Sequence, residues 1–435
     1  MTMPMHRRSF LGATASAFAA LAASGCTTMS SRGGRIGYGA LVRDPAGLID
    51  LPQGFSYRVI SQLGETMSDG FTVPDAADGM GCFDLPGGKI ALVRNHECYP
   101  PRHDGGGVVG KAYDYIAKSL VPLPGGTTTL VLDGETLALE KQYRSLAGTI
   151  RNCAGGVTPW GSWLTCEENT SLADGKIGQD HGWVFEVPAA AQGLVDPVPL
   201  KAMGRFNHEA ACVDPRTGYA YLTEDRDDSL LYRFIPNVKG RFEQGGKLQA
   251  LLLSDGVQDT RNWGGVAYAP HSWHPVRWID LDQVEAPKDD LRKRGAAAGG
   301  AIFARGEGIW MGEGEMYFTA TSGGTAKLGQ IFRLDVSGAT DKLQLFFEST
   351  SPDQFNYGDN LTIAPWGDLV VCEDQYTDVV DNHLRGIAPS GVAYPLARSH
   401  VQTEWAGACF SPDGKTLFVN LYSPTKTLAI TGPWV

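Results

Sequence analysis

The stretches GSWLTCEEN (161–169), GYAYLTEDRD (218–227) and GDLVVCEDQ (367–375) share one plan. Each leaves a glycine turn, runs through apolar, β-prone residues and ends on two adjacent acids. Glu167 and Glu168 stand six and seven residues after Gly161, Glu224 and Asp225 six and seven after Gly218, and Glu373 and Asp374 six and seven after Gly367. One such pair would be an ordinary solvated strand end. Three in the same frame point to the chemistry carboxylates do best, the binding of hard cations.

Weaker copies follow the same ruler. Arg94 and Asn95 occupy those offsets from Gly88, Asn420 stands six after Gly414, and Ala320 and Thr321 replace the acids after Gly314. A second set of polar residues lies behind the turns. Cys153 is eight before Gly161, Glu209 nine before Gly218, Arg305 and Glu307 nine and seven before Gly314, Asp359 and Asn360 eight and seven before Gly367, and Glu404 ten before Gly414. In a hairpin the start of the first strand and the end of the second lie together, far from the turn.

The elements that must position these residues are therefore turn-plus-strand units, six of them, spaced 47 to 96 residues apart. A further strand follows several, as in GWVFEVP, SLLYRFIP and GQIFRLDV. Meanders repeating at this interval predict an all-β fold, a β-propeller of six blades with irregular loop insertions. Pseudo-rotational symmetry then brings Cys153, Glu168, Glu209, Glu224, Arg305, Glu307, Asp374 and Glu404 to one rim or axial cavity. Glu373, beside Asp374, and Glu97, in NHE (95–97), join the candidate ligands. So many carboxylates at close range repel by several kcal/mol in low dielectric unless cations sit among them. Oxygen ligands suit calcium, whereas a thiolate such as Cys153 among them suits a transition metal such as iron.

Arg305 is the cation embedded among these acids. It could neutralise Glu307 or Glu209, or clamp an anionic substrate and offset charge on a transferring phosphoryl group. Asn95 could donate to the same oxyanion. His96 and His208 neighbour glutamates, so strand alternation points them to the opposite face. His271 and His274, in HSWHP, read as loop packing.

The 435 residues are 43% hydrophobic and 20% charged, with 55 glycines and 25 prolines, which favours many turns and a large core. A net charge of −11 excludes nucleic acid as a partner and suits multivalent cations. Arg7 and Arg8 followed by Ser9, Phe10 and Leu11 read as a twin-arginine export signal over residues 1–32, ending either in a lipid site at Cys26 or in plain signal-peptidase cleavage nearby. Residues 33–435 then form a single propeller domain. The destination is the periplasm or the exterior of a bacterial envelope, reached through the twin-arginine export machinery, with membrane contact only through a lipid on Cys26. None of the eight cysteines forms a CxxC pair, and Cys166, Cys212 and Cys372 fall in strand-like runs as buried thiols.

At these motifs the chain resembles the PhoX-type bacterial alkaline phosphatases. The matching stretches are the twin-arginine signal, NHE (95–97), NCAGGVTPWGSWLTCEEN (152–169), GRFNHEA (204–210), YLTED (221–225), FARGEG (303–308), DNLTIAPWGDLVVCED (359–374) and GACFSPDGKTLFVN (407–420). The resemblance implies a propeller enzyme that hydrolyses phosphate monoesters with an iron–calcium cluster. It implies that Cys153 and Glu209 bind iron, that Glu168, Glu307 and Asp374 help hold the iron and calcium ions, and that Arg305 contacts the phosphate of a small substrate. A monomer is expected. Competing readings are a calcium-dependent propeller hydrolase of the lactonase kind and a non-catalytic envelope propeller that calcium merely stiffens.

Overall fold

The computed structural model describes residues 36–434 apart from 108, 109, 118, 120 and 377. The expected export signal and Cys26 lie outside the described residues. The chain is an all-β propeller built from antiparallel hairpins. Each turn glycine found in the sequence joins two paired strands: Ala77–Leu85 with Lys89–His96, Asn152–Val157 with Ser162–Glu167, and His208–Val213 with Ala220–Glu224. Gly306–Met311 pairs with Glu315–Ala320, Gly358–Ile363 with Leu369–Glu373, and Trp405–Phe410 with Thr416–Leu421. The turn glycines Gly161, Gly218, Gly314, Gly367 and Gly414 all take left-handed φ, between 72° and 93°, which a side chain would strain. The expected third strands are present at Val184–Pro188, Tyr232–Pro236 and Gln330–Asp335.

Sheets do not map one to one onto these hairpins. A nine-stranded sheet fuses the third and fourth through Trp273–Asp280, which pairs with Gly246–Leu253 on one side and Lys342–Glu348 on the other. The last hairpin is completed by Lys426–Thr431 and then by Ser56–Gln62 from the start of the domain, with Leu428 opposite Val59.

Strands near the axis are buried on both faces, as Leu369–Glu373 and His208–Val213 show. Between neighbouring sheets lie continuous apolar layers, one uniting Leu164, Val184, Phe206, Leu222, Tyr232 and Leu248. Each such side chain contributes roughly 1.5–3 kcal/mol by leaving water. At the axis the inner strands approach so closely that only small residues fit. A Cβ on Gly79 would lie 2.6 Å from Ala154 Cα, and one on Gly308 2.7 Å from Asn360 Cα.

Candidate metal centre

All six hairpins carry a register shift at the same place in their inner strand. The pairing slips between Ala77 and Met80, Asn152 and Gly155, His208 and Ala211, Gly306 and Ile309, Gly358 and Leu361, and Ala406 and Cys409. A bulge re-aims the side chain it carries. The first bulge residues are Asp78, Cys153, Glu209, Glu307, Asp359 and Gly407. Five of the six offer a metal-ligating group, and those five line one cavity of about 390 Å³.

A second tier comes from the residue just past each outer strand. Its N–H donates to the residue just before the inner strand: Glu97 to Ala76, Glu168 to Arg151, Asp225 to Asn207, Thr321 to Arg305, Asp374 to Tyr357 and Tyr422 to Glu404, over 2.8–3.2 Å. These bonds pin both groups of residues at the mouth of the hub. Glu97, Glu168, Asp225, Asp374 and Tyr422 line the cavity from the first group, and Arg151, Arg305 and Glu404 from the second. Arg151 and Arg305 hold left-handed φ of 52° and 56°, strain that non-glycine residues adopt mainly at functional sites.

Nine carboxylates, one thiol and three guanidinium groups thus share the cavity. Ligand atoms cluster within 4.8 Å of one another in four overlapping groups: Asp78–Glu97–Cys153, Cys153–Glu168–Glu209, Glu209–Glu307–Asp359 and Asp359–Asp374–Glu404. Cys153 Sγ lies 3.2 Å from Glu209 Oε1 and 3.5 Å from Asp78 Oδ2. Burial pushes the Cys153 thiol well above its ordinary range, and the charges of Asp78 and Glu209 push it further. Burial likewise raises Glu209, with Glu307 and Asp359 adding repulsion, and raises Asp78, with Asp359 and Glu97 adding theirs. Glu307, Asp359 and Glu404 are raised for the same first cause.

The protein's own cations do not satisfy this set. Arg151 spans Glu97 and Glu168, with Nη2 2.7 Å from Glu168 Oε2. Arg305 donates from Nε to Asp225 Oδ1 at 2.8 Å and from Nη2 to Glu307 Oε1 at 2.8 Å. Asp78 Oδ1 and Glu209 Oε2 are buried and accept no hydrogen bond from any of the described residues. Buried oxygens without partners cost about 1–3 kcal/mol each, and cations bridging them would remove that cost. The donor set, oxygen-rich with one sulfur, fits bound metal ions.

Cys153, Glu97, Glu168, Glu209, Glu307, Asp374, Glu404 and Arg305 therefore share one cavity. Three expected residues lie elsewhere. Glu224 turns into its own sheet, where it accepts from the Tyr232 hydroxyl at 2.6 Å and faces Arg292. Glu373 accepts from Arg385 Nε at 2.8 Å and from the backbone N–H of His383 at 2.8 Å. Adjacent strand residues point to opposite faces, so only the second acid of each pair can reach the hub; counting along the chain admits the wrong one at 224–225 and both at 373–374. Asn95 is wholly buried below the cavity, donating to the carbonyls of Cys153 and Ala154 at 3.0 and 2.7 Å and accepting from Trp163 Nε1 at 2.8 Å. It holds the Cys153 bulge in place and cannot reach an oxyanion. His96 and His208 face into their sheets, as alternation requires, bonded to Thr128 and Gly204. His274 pairs with Asp255.

Asp78 and Arg151 are not singled out by the sequence pattern, and Asp225 and Asp359 are placed by it without being assigned as ligands. Asp78 escaped because the first hairpin is longer, which places it ten residues before Gly88 where Cys153 is eight before Gly161. Arg151 directly precedes NCAGG, the same position relative to its strand that Arg305 holds in its own.

Fold and site together define a β-propeller with an acidic, thiol-bearing hub suited to metal ions. Residues 36–133 and 124–425 match the family described as alkaline phosphatase PhoX, and the chain belongs to that family. No curated protein sequence matches the chain. Among solved structures, PhoX of Pseudomonas fluorescens in complex with vanadate, a transition state analogue, is 20% identical with a TM-score of 0.68, over 89% of this chain and 96% of that one. A gluconolactonase from Xanthomonas campestris is 14% identical with a TM-score of 0.44, over 92% of this chain and 99% of that one.

Proposed function

We propose that this chain is a phosphomonoesterase whose metal ions, iron and calcium, sit in the hub of a six-bladed propeller. The observation that carries this reading is the run of four ligand groups that overlap at Cys153, Glu209 and Asp359, with two carboxylate oxygens buried in the hub, Asp78 Oδ1 and Glu209 Oε2, left without partners. Asp78, Glu97, Cys153, Glu168 and Glu209 would hold iron at the sulfur-bearing end. Glu307, Asp359, Asp374 and Glu404, all oxygen donors, would hold calcium. Such ions supply an activated water oxygen and Lewis acidity toward phosphoryl oxygens.

The protein's own groups do the rest. Arg305, fixed by Asp225 and Glu307 at the cavity wall, offers its remaining N–H groups to phosphate oxygens. There it offsets charge as the phosphorus–oxygen bond to the alcohol breaks. Water contributes the oxygen of the new bond and a proton goes to the departing alcohol, giving inorganic phosphate. Arg151 faces the same space with its charge shared between Glu97 and Glu168. Asp225 and Glu307 orient Arg305, and Asn95 keeps the thiol at the cavity floor. Export through the twin-arginine route, a lipid on Cys26 and a monomeric state belong to the same reading. Among the described residues no helix is long and apolar enough to cross a membrane.

The test is metal analysis of protein exported by its own host, with hydrolysis of 4-nitrophenyl phosphate. Iron and calcium should accompany activity, and Arg305→Ala should lower kcat about a hundredfold while metal content holds. A fully metal-loaded protein without hydrolysis, or calcium without iron, would overturn the proposal.

A further inference from the structure

Beside the hub lies a second cavity, of about 520 Å³, and Tyr99 lines both. Two loops build its walls, one after each of the first two hairpins. They are joined by the Asp114 carboxylate, which accepts from Gly178 N–H at 2.9 Å and Gln179 N–H at 3.0 Å, and by Ala117 N–H donating to Lys176 O at 2.7 Å. The lining differs sharply from the hub. Ile116, Leu123, Ile150, Leu172 and Ile177 supply apolar surface, Asn169 and Ser171 are its neutral polar groups, and Asp174 and Lys176 add one charge of each sign. Ile116 and Leu172 stay exposed, at 36% and 41%. Apolar cavities of this size, beside a polar reaction site, are where small organic groups bind.

Tyr99 is the shared wall. The guanidinium groups of Arg102 and Arg151 each lie 5.7 Å from its ring centroid, so cations line the hub side of the junction. An ester with its phosphate in the hub would lead its alcohol portion past Tyr99 into apolar surroundings.

We infer that this cavity is the subsite for the alcohol portion of the ester, selecting apolar, aryl-sized groups over small polyols. The inference rests on the phosphatase reading and sharpens its substrate class. Burying an aryl group there should tighten binding about tenfold, the scale at which apolar pockets discriminate.

Equilibrium binding to metal-loaded protein tests it, comparing 1-naphthylphosphonate with methylphosphonate, neither of which can be hydrolysed. The naphthyl probe should bind about tenfold more tightly. Leu172→Asp, which places a charge in the cavity, and Leu172→Trp, which fills it, should each abolish that preference. Methylphosphonate affinity should stay unchanged. The exposed position of Leu172 lets both variants fold. In turnover, KM for 1-naphthyl phosphate should rise in both while kcat and the KM for glycerol phosphate hold. Equal affinities in the wild type, or a preference that survives both substitutions, would overturn the subsite. Should neither phosphonate bind and no ester be cleaved, the phosphatase reading fails instead. Binding of 1-naphthol, which carries no phosphate, then reads the cavity alone: loss in Leu172→Asp upholds an apolar subsite, and no binding to the wild type refutes it.

Discussion

The two acids of each Glu–Glu or Glu–Asp pair sit one residue apart and live in different worlds. The first acid turns outward into its sheet and is held there: Glu167 by His181 and the N–H groups of Gly182 and Trp183, Glu224 by Tyr232 with Arg292 3.6 Å away, Glu373 by Arg385 and His383. The second turns inward, where Glu168, Asp225 and Asp374 meet other acids. Identical chemistry thus serves as mortar on one face of the strand and as an unmet demand for cations on the other. Neighbours, not burial, distinguish the two: Glu167 and Glu168 are both buried, but Glu168 shares Arg151 with Glu97 and lies close to Cys153 and Glu209.

That contrast can be broken from either side. The largest effect is expected at the hub. On the proposed reading, Cys153→Ala should abolish iron binding and lower hydrolysis by on the order of a thousandfold or more, read by metal analysis and kcat, while the fold, followed by circular dichroism, stays intact. Glu373→Ala should do the reverse. It leaves Arg385 buried without its partner and should cost about 3–5 kcal/mol of stability in denaturant melts, with metal content per folded molecule unchanged.

A finer test uses Glu209→Gln. In chelated protein the loss of one like charge should raise stability by about 1 kcal/mol. In loaded protein the same change should lower metal content, so the sign of the effect reverses with metal.

A pH-dependent effect is expected at a latch. Burial alone would lower the proton affinity of His181, but Glu167 and Asp114 hold it above the ordinary histidine range. A proton held more tightly in the folded state stabilises the protein fully below about pH 6.5. That contribution drains away as pH rises through the raised folded value. His181→Gln should flatten this slope in thermal melts, by about 1–3 kcal/mol at its acidic end.

Much of this contrast was legible before any coordinates. The turn-to-acid spacing located the inward acids Glu168 and Asp374 and the thiol at Cys153. What spacing could not carry was parity and long-range partnership. Glu224 and Glu373 look like their neighbours in sequence, and only the two-residue alternation of a strand separates them. Asn95 sits seven residues after its turn, as Glu168 does, but its hairpin is two residues longer on that side, so Glu97 takes the rim and Asn95 sinks beneath it. Arg151 finds Glu97 across 54 residues of chain, a contact no local pattern encodes.

The strand Lys426–Thr431 closes the ring against Ser56–Gln62, and this has a bearing on biogenesis. Potential ligands run from Asp78 to Glu404, and no subset of them is contiguous. A nascent chain still tethered to the ribosome has no enclosure in which they could meet. On the proposed reading the sites fill as a set once that seam is closed, so loosening it should lower metal content at all of them together rather than one at a time.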